Sequence, residues 1–258
     1  MCSDNALKRA MSEEPHPTPN PRRGIYLLPN LFTTAALFAG FYAVTAALNQ
    51  NFQLAAISIF VAMILDGLDG RVARMTNTQS AFGAEYDSMA DMISFGAAPA
   101  LVMYVWSLAS LGKLGWVAAF VHCAGAALRL ARFNTQIGKA DKRFFQGLPS
   151  PSAAAILAGF IWLCVDAGVS GANLVYVAVG LTIATGLLMV SNFRYYSFKD
   201  VDLRGRVPFL KAIVVMLAFA IGFAHPPLTL FLFFLGYAIS GPALTLIMLR
   251  RKRLERKT

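Results

Sequence analysis

Charged residues are scarce in this chain. Only 14% of its 258 residues are charged, whereas 57% are hydrophobic. A water-soluble globule of this size needs far more polar surface than that, so the composition excludes a soluble domain. Most of the chain must therefore be solvated by lipid.

Cysteine and histidine are also scarce, with three residues of each. Cys2, Cys123 and Cys164 form no closely spaced pair, so they predict neither a disulfide framework nor a zinc site. His122 and His225 have no second histidine or acidic residue at ligand spacing. We therefore interpret both histidines as packing residues rather than metal ligands.

The apolar residues fall into blocks of about 17–25 residues, the length that a helix needs to cross a hydrocarbon core about 30 Å thick. This pattern predicts an all-α integral membrane protein, a polytopic helical bundle of about eight transmembrane helices. The expected spans are 26–48, 53–73, 82–110, 116–135, 151–168, 172–192, 207–224 and 228–249.

Lysine and arginine residues predict the orientation of these spans, because they favour cytoplasmic loops. With eight alternating spans, all the basic clusters lie on one side and only Lys113 lies on the other. We expect a multi-pass protein of the cytoplasmic (inner) membrane with both termini and the active site on the cytoplasmic side. Orientation and anionic lipid headgroups account for the net charge of +10, so nucleic acid is not an expected partner.

The same pattern divides the chain into four parts. Few apolar groups and four prolines at alternate positions mark the first part as disordered. The expected parts are a disordered cytoplasmic tail (1–24), a membrane core (25–200), two additional transmembrane helices (201–249) and a basic cytoplasmic tail (250–258).

Acidic residues within the spans point to the functional site. An ionised carboxylate in a bilayer costs about 2.5–3.5 kcal/mol on insertion scales, so such residues are usually functional or paired. Of the 13 acidic residues, five lie between positions 66 and 91: Asp66, Asp69, Glu85, Asp87 and Asp91.

The spacing of four of these acids places them on two facing helices. Asp66 and Asp69 are about 60° apart on the second span. Asp87 and Asp91 follow Gly83 at intervals of four residues on the third span, so all three share one stripe. The four carboxylates can therefore converge near the cytoplasmic end of the bundle.

Converging carboxylates need countercharge, and only Arg71 and Arg74 lie among them. Oxygen ligands without histidine or cysteine favour Mg²⁺ or Mn²⁺ over zinc. Two alternatives are that the acids merely pair with the two arginines, and that they line the path of a cation transporter. The position of the acids at one end of the spans disfavours a path through the membrane.

The pattern DxxDGxxAR, then eight residues, then GxxxDxxxD resembles the signature of the CDP-alcohol phosphotransferase family. The resemblance implies a six-helix core, a homodimer and a site for two divalent ions, Mg²⁺ or Mn²⁺, that opens to the cytoplasm. The matched positions are Asp66, Asp69, Gly70, Ala73, Arg74, Gly83, Asp87 and Asp91.

The resemblance also implies roles for these residues. Asp66, Asp69 and Asp87 would hold the metal ions, and Asp91 would contribute to the metal site and act as general base. Donor-binding residues would frame the cytidine and phosphates of CDP-diacylglycerol. They are Gly70, Ala73, Arg74 and Gly83, with Asn30 and Thr33 as further candidates at the entry to the first span.

Residues 23–33, 130–134 and 145–151 resemble the serine-using branch of the family. That branch transfers the phosphatidyl group of CDP-diacylglycerol to L-serine, giving phosphatidylserine and CMP. Glycerol 3-phosphate, inositol phosphate and choline remain alternative acceptors. The serine carboxylate needs cationic or hydrogen-bonding partners, and the candidates after the fourth span are Arg129, Arg132 and Asn134.

Overall fold

The computed structural model of the protein describes residues 27–76, 80–136, 144–196, 222 and 224–255. The expected disordered tail 1–24 and the expected span 207–224, apart from Gly222 and Ala224, lie outside these ranges. Within them the chain is almost entirely helical, which confirms the expected helical membrane bundle.

The α-helices, named in chain order, are α1 (Leu27–Leu48), α2 (Phe52–Met75), α3 (Ala81–Asp91), α4 (Ala98–Trp106), α5 (Lys113–Gln136), α6 (Ser150–Asp166), α7 (Val175–Val190) and α8 (Pro226–Glu255). A π-helical segment, Met92–Ala97, joins α3 to α4, and short 3₁₀ turns at Leu108–Leu111 and Gly171–Leu174 precede α5 and α7.

Six helical segments in the described ranges are long and apolar enough to cross a membrane. They are Pro29–Leu48, Phe52–Met75, Ala81–Trp106, Lys113–Thr135, Gly171–Val190 and Pro226–Ile247. A seventh apolar helix, α6, is shorter at 17 residues. Seven of the eight expected spans therefore correspond to helices, and six of these helices have full spanning length. The remaining expected span, 207–224, falls almost entirely on residues that are not described.

The outer surface of the bundle is apolar. Large hydrophobic side chains such as Phe38, Phe82, Phe120 and Leu246 are at least 60% exposed. In water such a surface would be an aggregation liability, whereas in a bilayer it contacts lipid tails.

The interior of the bundle relies on small residues. Alanines of α1 and α2 are buried where these two helices pack together, including Ala43, Ala47, Ala55 and Ala56. Small side chains let helix backbones approach closely, which is the usual basis of helix packing in membranes. This close contact brings α1 alongside the acidic part of α2.

A proline follows the π segment next to Asp91. Pro99 has no backbone N–H, so the carbonyl of Phe95 lacks the helical donor that would normally lie four residues ahead. The ring of His122, fully buried on α5, fills this gap with Nε2 at 3.4 Å from the Phe95 oxygen. Its Nδ1 lies 2.9 Å from Thr185 Oγ1, so His122 is a packing residue, as expected.

A two-stranded antiparallel ribbon leads into α6. Strands β1 (Phe144–Gln146) and β2 (Arg194–Tyr196) pair with Phe145 opposite Tyr195. Gly147 follows with φ of +77°, a conformation that favours glycine, and a Cβ atom there would collide with the carbonyl of Met189. The chain therefore makes a tight turn against the end of α7 before α6 begins.

Helix α8 packs on α6 and on the ribbon. Pro242 leaves the Ala238 carbonyl without its helical N–H donor, and the Tyr195 hydroxyl donates to that carbonyl at 3.0 Å. The Tyr195 ring is completely buried against Gly241, where a Cβ atom would collide with it. Burial raises the pKa of Tyr195 to about 12, with Tyr237 contributing, so the phenol remains a donor at neutral pH.

Candidate active site

Three carboxylates from two helices form the centre of the site. Asp66 and Asp69 lie on α2 and Asp87 lies on α3. One oxygen from each lies within 4.8 Å of the others. The spacing in the sequence therefore led to the correct helix faces, and the structure brings these three residues together.

Asp69 is fixed from a third helix. Thr33 on α1 is 4% exposed, and its hydroxyl lies 2.7 Å from Asp69 Oδ2. Asp69 itself is only 5% exposed. Donation from Thr33 orients the carboxylate, so Thr33 contacts a site residue here, whereas the sequence suggested a contact with the nucleotide.

Asp87 carries the strongest sign that the cluster is a cation site. Its Oδ1 is buried and has no hydrogen-bond partner among the described residues, while its side chain lies beside those of Asp66 and Asp69. A buried anionic oxygen without a partner is costly unless a cation satisfies it. The all-oxygen donor set suits a hard divalent ion, and the three residues therefore fit a metal.

Asp91 lies beside this cluster rather than within it. It is the last residue of α3 and interacts electrostatically with Asp66. It also interacts electrostatically with Arg129 of α5. Asp91 thus lies between the three clustered carboxylates and the cationic side chain of Arg129.

The small residues of the signature border open space. Among the described residues, a Cβ atom on Gly70 would meet nothing within 4 Å, so they leave the surface beside Asp69 open to a ligand. Gly83 is more enclosed, since a Cβ there would lie 3.1 Å from Ser80 Oγ and 3.5 Å from Asn30 Oδ1. Asn30 therefore lies near the start of α3, while Arg74 is exposed near the end of α2.

Local sequence explains why α3 begins where it does. Ser80 caps the helix, and its hydroxyl accepts a hydrogen bond from the Gly83 amide at 3.0 Å. This cap sets the start of the stripe that carries Asp87 and Asp91. Thr34 and Tyr86, with their hydroxyls 2.9 Å apart, join α1 to the same stretch of α3.

A sequence model of the CDP-alcohol phosphatidyltransferase family matches residues 26–189, which include every acidic residue of the site. The chain belongs to this family. The match ends within α7, so helix α8 lies outside the matched residues of this CDP-alcohol phosphatidyltransferase.

Curated relatives extend the similarity. A CDP-diacylglycerol–serine O-phosphatidyltransferase of Helicobacter pylori (strain J99) is 37% identical over 222 residues, 86% of this chain and 92% of the relative. Proteins of the same name from Methanocaldococcus jannaschii and Mycobacterium bovis are 35% and 40% identical. The former alignment covers 84% of this chain and 94% of the relative, the latter 67% and 63%.

The residues predicted to bind serine have different surroundings in this phosphatidyltransferase. Arg129 Nη1 donates to Ser150 Oγ at 2.8 Å and faces Asp91. Arg132 instead reaches the end of α7, where Nη2 donates to the Val190 carbonyl at 2.8 Å. Only Arg129 of the two arginines interacts with an acid of the site.

Asn134 donates from Nδ2 to Ser88 Oγ at 3.1 Å, next to Asp87 in the chain. Arg132 Nη1 also lies 3.4 Å from the Ser191 carbonyl, so this arginine satisfies carbonyls that have no partner in their own helix. Both residues support the walls of the site through these contacts.

Sequence reasoning missed the partners that come from distant segments. Ser150 begins α6, and Tyr237 lies on α8, yet both interact with Arg129. The sequence gives no spacing signal for either, because their approach to Arg129 depends on how α6 and α8 pack.

Proposed function

We propose that this protein transfers the phosphatidyl group of CDP-diacylglycerol to the hydroxyl of L-serine, giving phosphatidylserine and CMP. The observation that carries the proposal is the triad of Asp66, Asp69 and Asp87, with Asp91 beside it. Serine as acceptor is supported by relatives named CDP-diacylglycerol–serine O-phosphatidyltransferase, which align with this chain over most of their length.

The triad is the proposed binding site for two divalent ions, Mg²⁺ or Mn²⁺. Bound there, the ions would neutralise the diphosphate and stabilise the charge that develops on the leaving CMP. Thr33 orients Asp69 through its hydrogen bond. The orphaned Oδ1 of Asp87 is the oxygen that most needs such a cation.

Asp91 is the proposed general base. It would accept the proton of the serine hydroxyl as that oxygen attacks the lipid-side phosphorus in line with the bond to CMP. The new phosphate ester forms as the bond to the CMP oxygen breaks, and no covalent intermediate with the protein is needed. Arg129 faces Asp91, so a serine bound between them would have its hydroxyl close to the base.

The donor lipid is proposed to occupy the open face beside α2. Gly70 leaves that face uncovered, and the exposed Arg74 suits a phosphate oxygen. Ala73, Gly83 and Asn30 complete the proposed nucleotide-binding wall. On the acceptor side, Arg129 is the primary candidate for binding serine. Arg132 and Asn134 are proposed to stabilise this part of the site.

The proposed setting is the cytoplasmic (inner) membrane, with the site at the cytoplasmic end of the spans and the enzyme working as a homodimer. Arg71 and Arg74, close to the acidic cluster, support this orientation because basic residues favour the cytoplasmic face.

The test is CMP release by purified protein in detergent with CDP-diacylglycerol, Mg²⁺ or Mn²⁺ and one acceptor at a time. The acceptors are L-serine, glycerol 3-phosphate, inositol phosphate and choline. We expect CMP only with serine. CMP with another acceptor alone would overturn the choice of serine, and no CMP with any acceptor would overturn the transferase assignment.

A further inference from the structure

The π segment Met92–Ala97 begins immediately after Asp91, the proposed base. The amide of Ala98 donates to the carbonyl of Ile93, five residues earlier, so this turn of the helix holds one residue more than an α-helical turn. One residue corresponds to about 100° of rotation about the helix axis. The direction in which Asp91 points therefore depends on how the π segment is held.

The π segment and the helix after it are fixed in the core. Ser94 and Phe95 are at most 1% exposed, and Val102 and Met103 of α4 are fully buried. Helix α4 cannot rotate without losing this packing. A shift of the π segment would therefore turn Asp91 on α3 rather than α4.

Helix α1 holds the π segment through direct contact. The Ser94 hydroxyl donates to the Ala36 carbonyl of α1 at 3.2 Å. Gly40, one turn further along α1, leaves room for this approach, since a Cβ atom there would lie 2.6 Å from Ser94 Oγ and 2.7 Å from Ser94 Cα. The backbones of the two segments therefore touch at this point.

The hydrogen bond of Ser94 differs from those of other serines in the bundle. Ser58 on α2 and Ser88 on α3 each donate to the carbonyl four residues earlier in their own helix, which is the usual local bond of a helical serine. Ser94 instead donates to a helix 58 residues away in the chain. Its hydroxyl therefore joins two elements.

The same face of α1 contacts the acidic cluster. Thr33, Ala36 and Gly40 are three and then four residues apart, so they lie along one side of the helix. Thr33 donates to Asp69, while Ala36 and Gly40 hold the segment that follows Asp91. One face of α1 thus relates the position of Asp69 to that of Asp91.

We propose that Ser94 is a positioning residue, which fixes the π segment to α1 and thereby places Asp91 for its role as the base. This inference rests on the proposed function, because it concerns the base of that reaction. Ser94 is buried and acts through Asp91 rather than on the substrates. Asp69 keeps its own bond to Thr33, so the metal site should not depend on Ser94.

The test compares Ser94→Ala with Ser58→Ala in steady-state CMP release by the purified enzyme. We expect kcat to fall about tenfold in Ser94→Ala, because a misplaced base reacts more slowly. The KM values for L-serine and CDP-diacylglycerol, and the metal concentration for half-maximal release, should stay within about twofold of wild type. Ser58→Ala also removes a buried serine hydroxyl, but one that bonds its own helix, and should keep a normal kcat.

A double substitution separates a positioning role from a purely structural one. If Ser94 acts through Asp91, adding Ser94→Ala to Asp91→Asn should lower the residual single-turnover rate by less than about twofold. A further tenfold loss in the double variant would show that Ser94 acts independently of Asp91, and the inference would be wrong.

The remaining outcomes are also decisive. An unchanged kcat in Ser94→Ala, the same loss in Ser58→Ala, or a tenfold rise in the metal requirement would overturn the inference, because the last two indicate disturbed packing. If Asp91→Asn abolishes turnover and Ser94→Ala is normal, only this inference fails. If Asp91→Asn is near normal, the proposed base fails and this inference fails with it. If wild-type CMP release does not depend on serine, the proposed acceptor is wrong, and the Ser94 comparison is made with the acceptor that does support release.

Discussion

Thr33 on α1 donates a hydrogen bond to Asp69 on α2 over 2.7 Å, with both side chains almost fully buried. The two residues are 36 positions apart, and the bond fixes one oxygen of the acidic cluster from outside the two helices that supply it. A partner that orients a metal ligand commonly changes metal affinity by about 10–100-fold when removed.

Thr33→Val should therefore weaken metal binding without removing a proposed ligand. We expect the Mg²⁺ or Mn²⁺ concentration for half-maximal CMP release to rise about tenfold. Thr33→Ser, which keeps the hydroxyl, should remain near wild type. Thr34→Val is the matched control on the same helix, because Thr34 bonds Asn30 and Tyr86 rather than an acid of the cluster. An equal shift in Thr34→Val would assign the effect to α1 packing.

Asp91→Asn should remove the proposed base while keeping nearly the same shape. We expect turnover to fall by at least about a hundredfold, with membrane insertion unchanged. Glu85→Gln, an exposed acid on the same helix, should retain normal activity. A near-normal rate in Asp91→Asn would remove the base from the scheme, and recovery of the rate at high metal concentration would make Asp91 a metal ligand instead.

Removal of divalent ions should abolish the reaction. With EDTA, CMP release should drop to background and return on addition of Mg²⁺ or Mn²⁺, while Zn²⁺ should restore less because the cluster offers no histidine or cysteine. The same ions should raise the thermal unfolding temperature, since binding to the folded state stabilises it. Asp87→Asn should lose much of that rise. Full activity in EDTA would contradict the assignment of the triad.

Gly147→Ala should destabilise the fold. The residue has φ of +77°, and a Cβ atom would collide with the Met189 carbonyl. We expect a loss of about 1–3 kcal/mol in the free energy of unfolding, measured by thermal unfolding in detergent. Gly180→Ala, on α7 with no atom within 4 Å of its Cβ position, should be neutral or slightly stabilising. Equal stability in both variants would show that the turn can relax.

The sequence was most informative where periodicity alone fixes geometry. Asp66 and Asp69 share a helix face whatever surrounds α2, and the same holds for Asp87 and Asp91 on α3. The structure places these residues together as that reasoning predicted, with three in the cluster and Asp91 beside it.

The sequence was least informative where a contact depends on packing between distant helices. The sequence suggests Arg132 as a serine-binding residue, yet it donates to a carbonyl at the end of α7, 58 residues away. Ser150 accepts a hydrogen bond from Arg129 only because α6 packs against the core. No local pattern marks these residues, since the relevant spacing is set by tertiary structure.

Two prolines make the stability of this bundle depend on the correct packing of its elements. Pro99 and Pro242 each leave a carbonyl four residues earlier without a helical donor, and His122 and Tyr195 supply the missing hydrogen bonds from other elements. In hydrocarbon a bare carbonyl costs several kcal/mol. A helix shifted by one turn would leave one of these carbonyls without a hydrogen bond. The misassembled bundle would therefore be less stable than the correct one by the cost of that carbonyl.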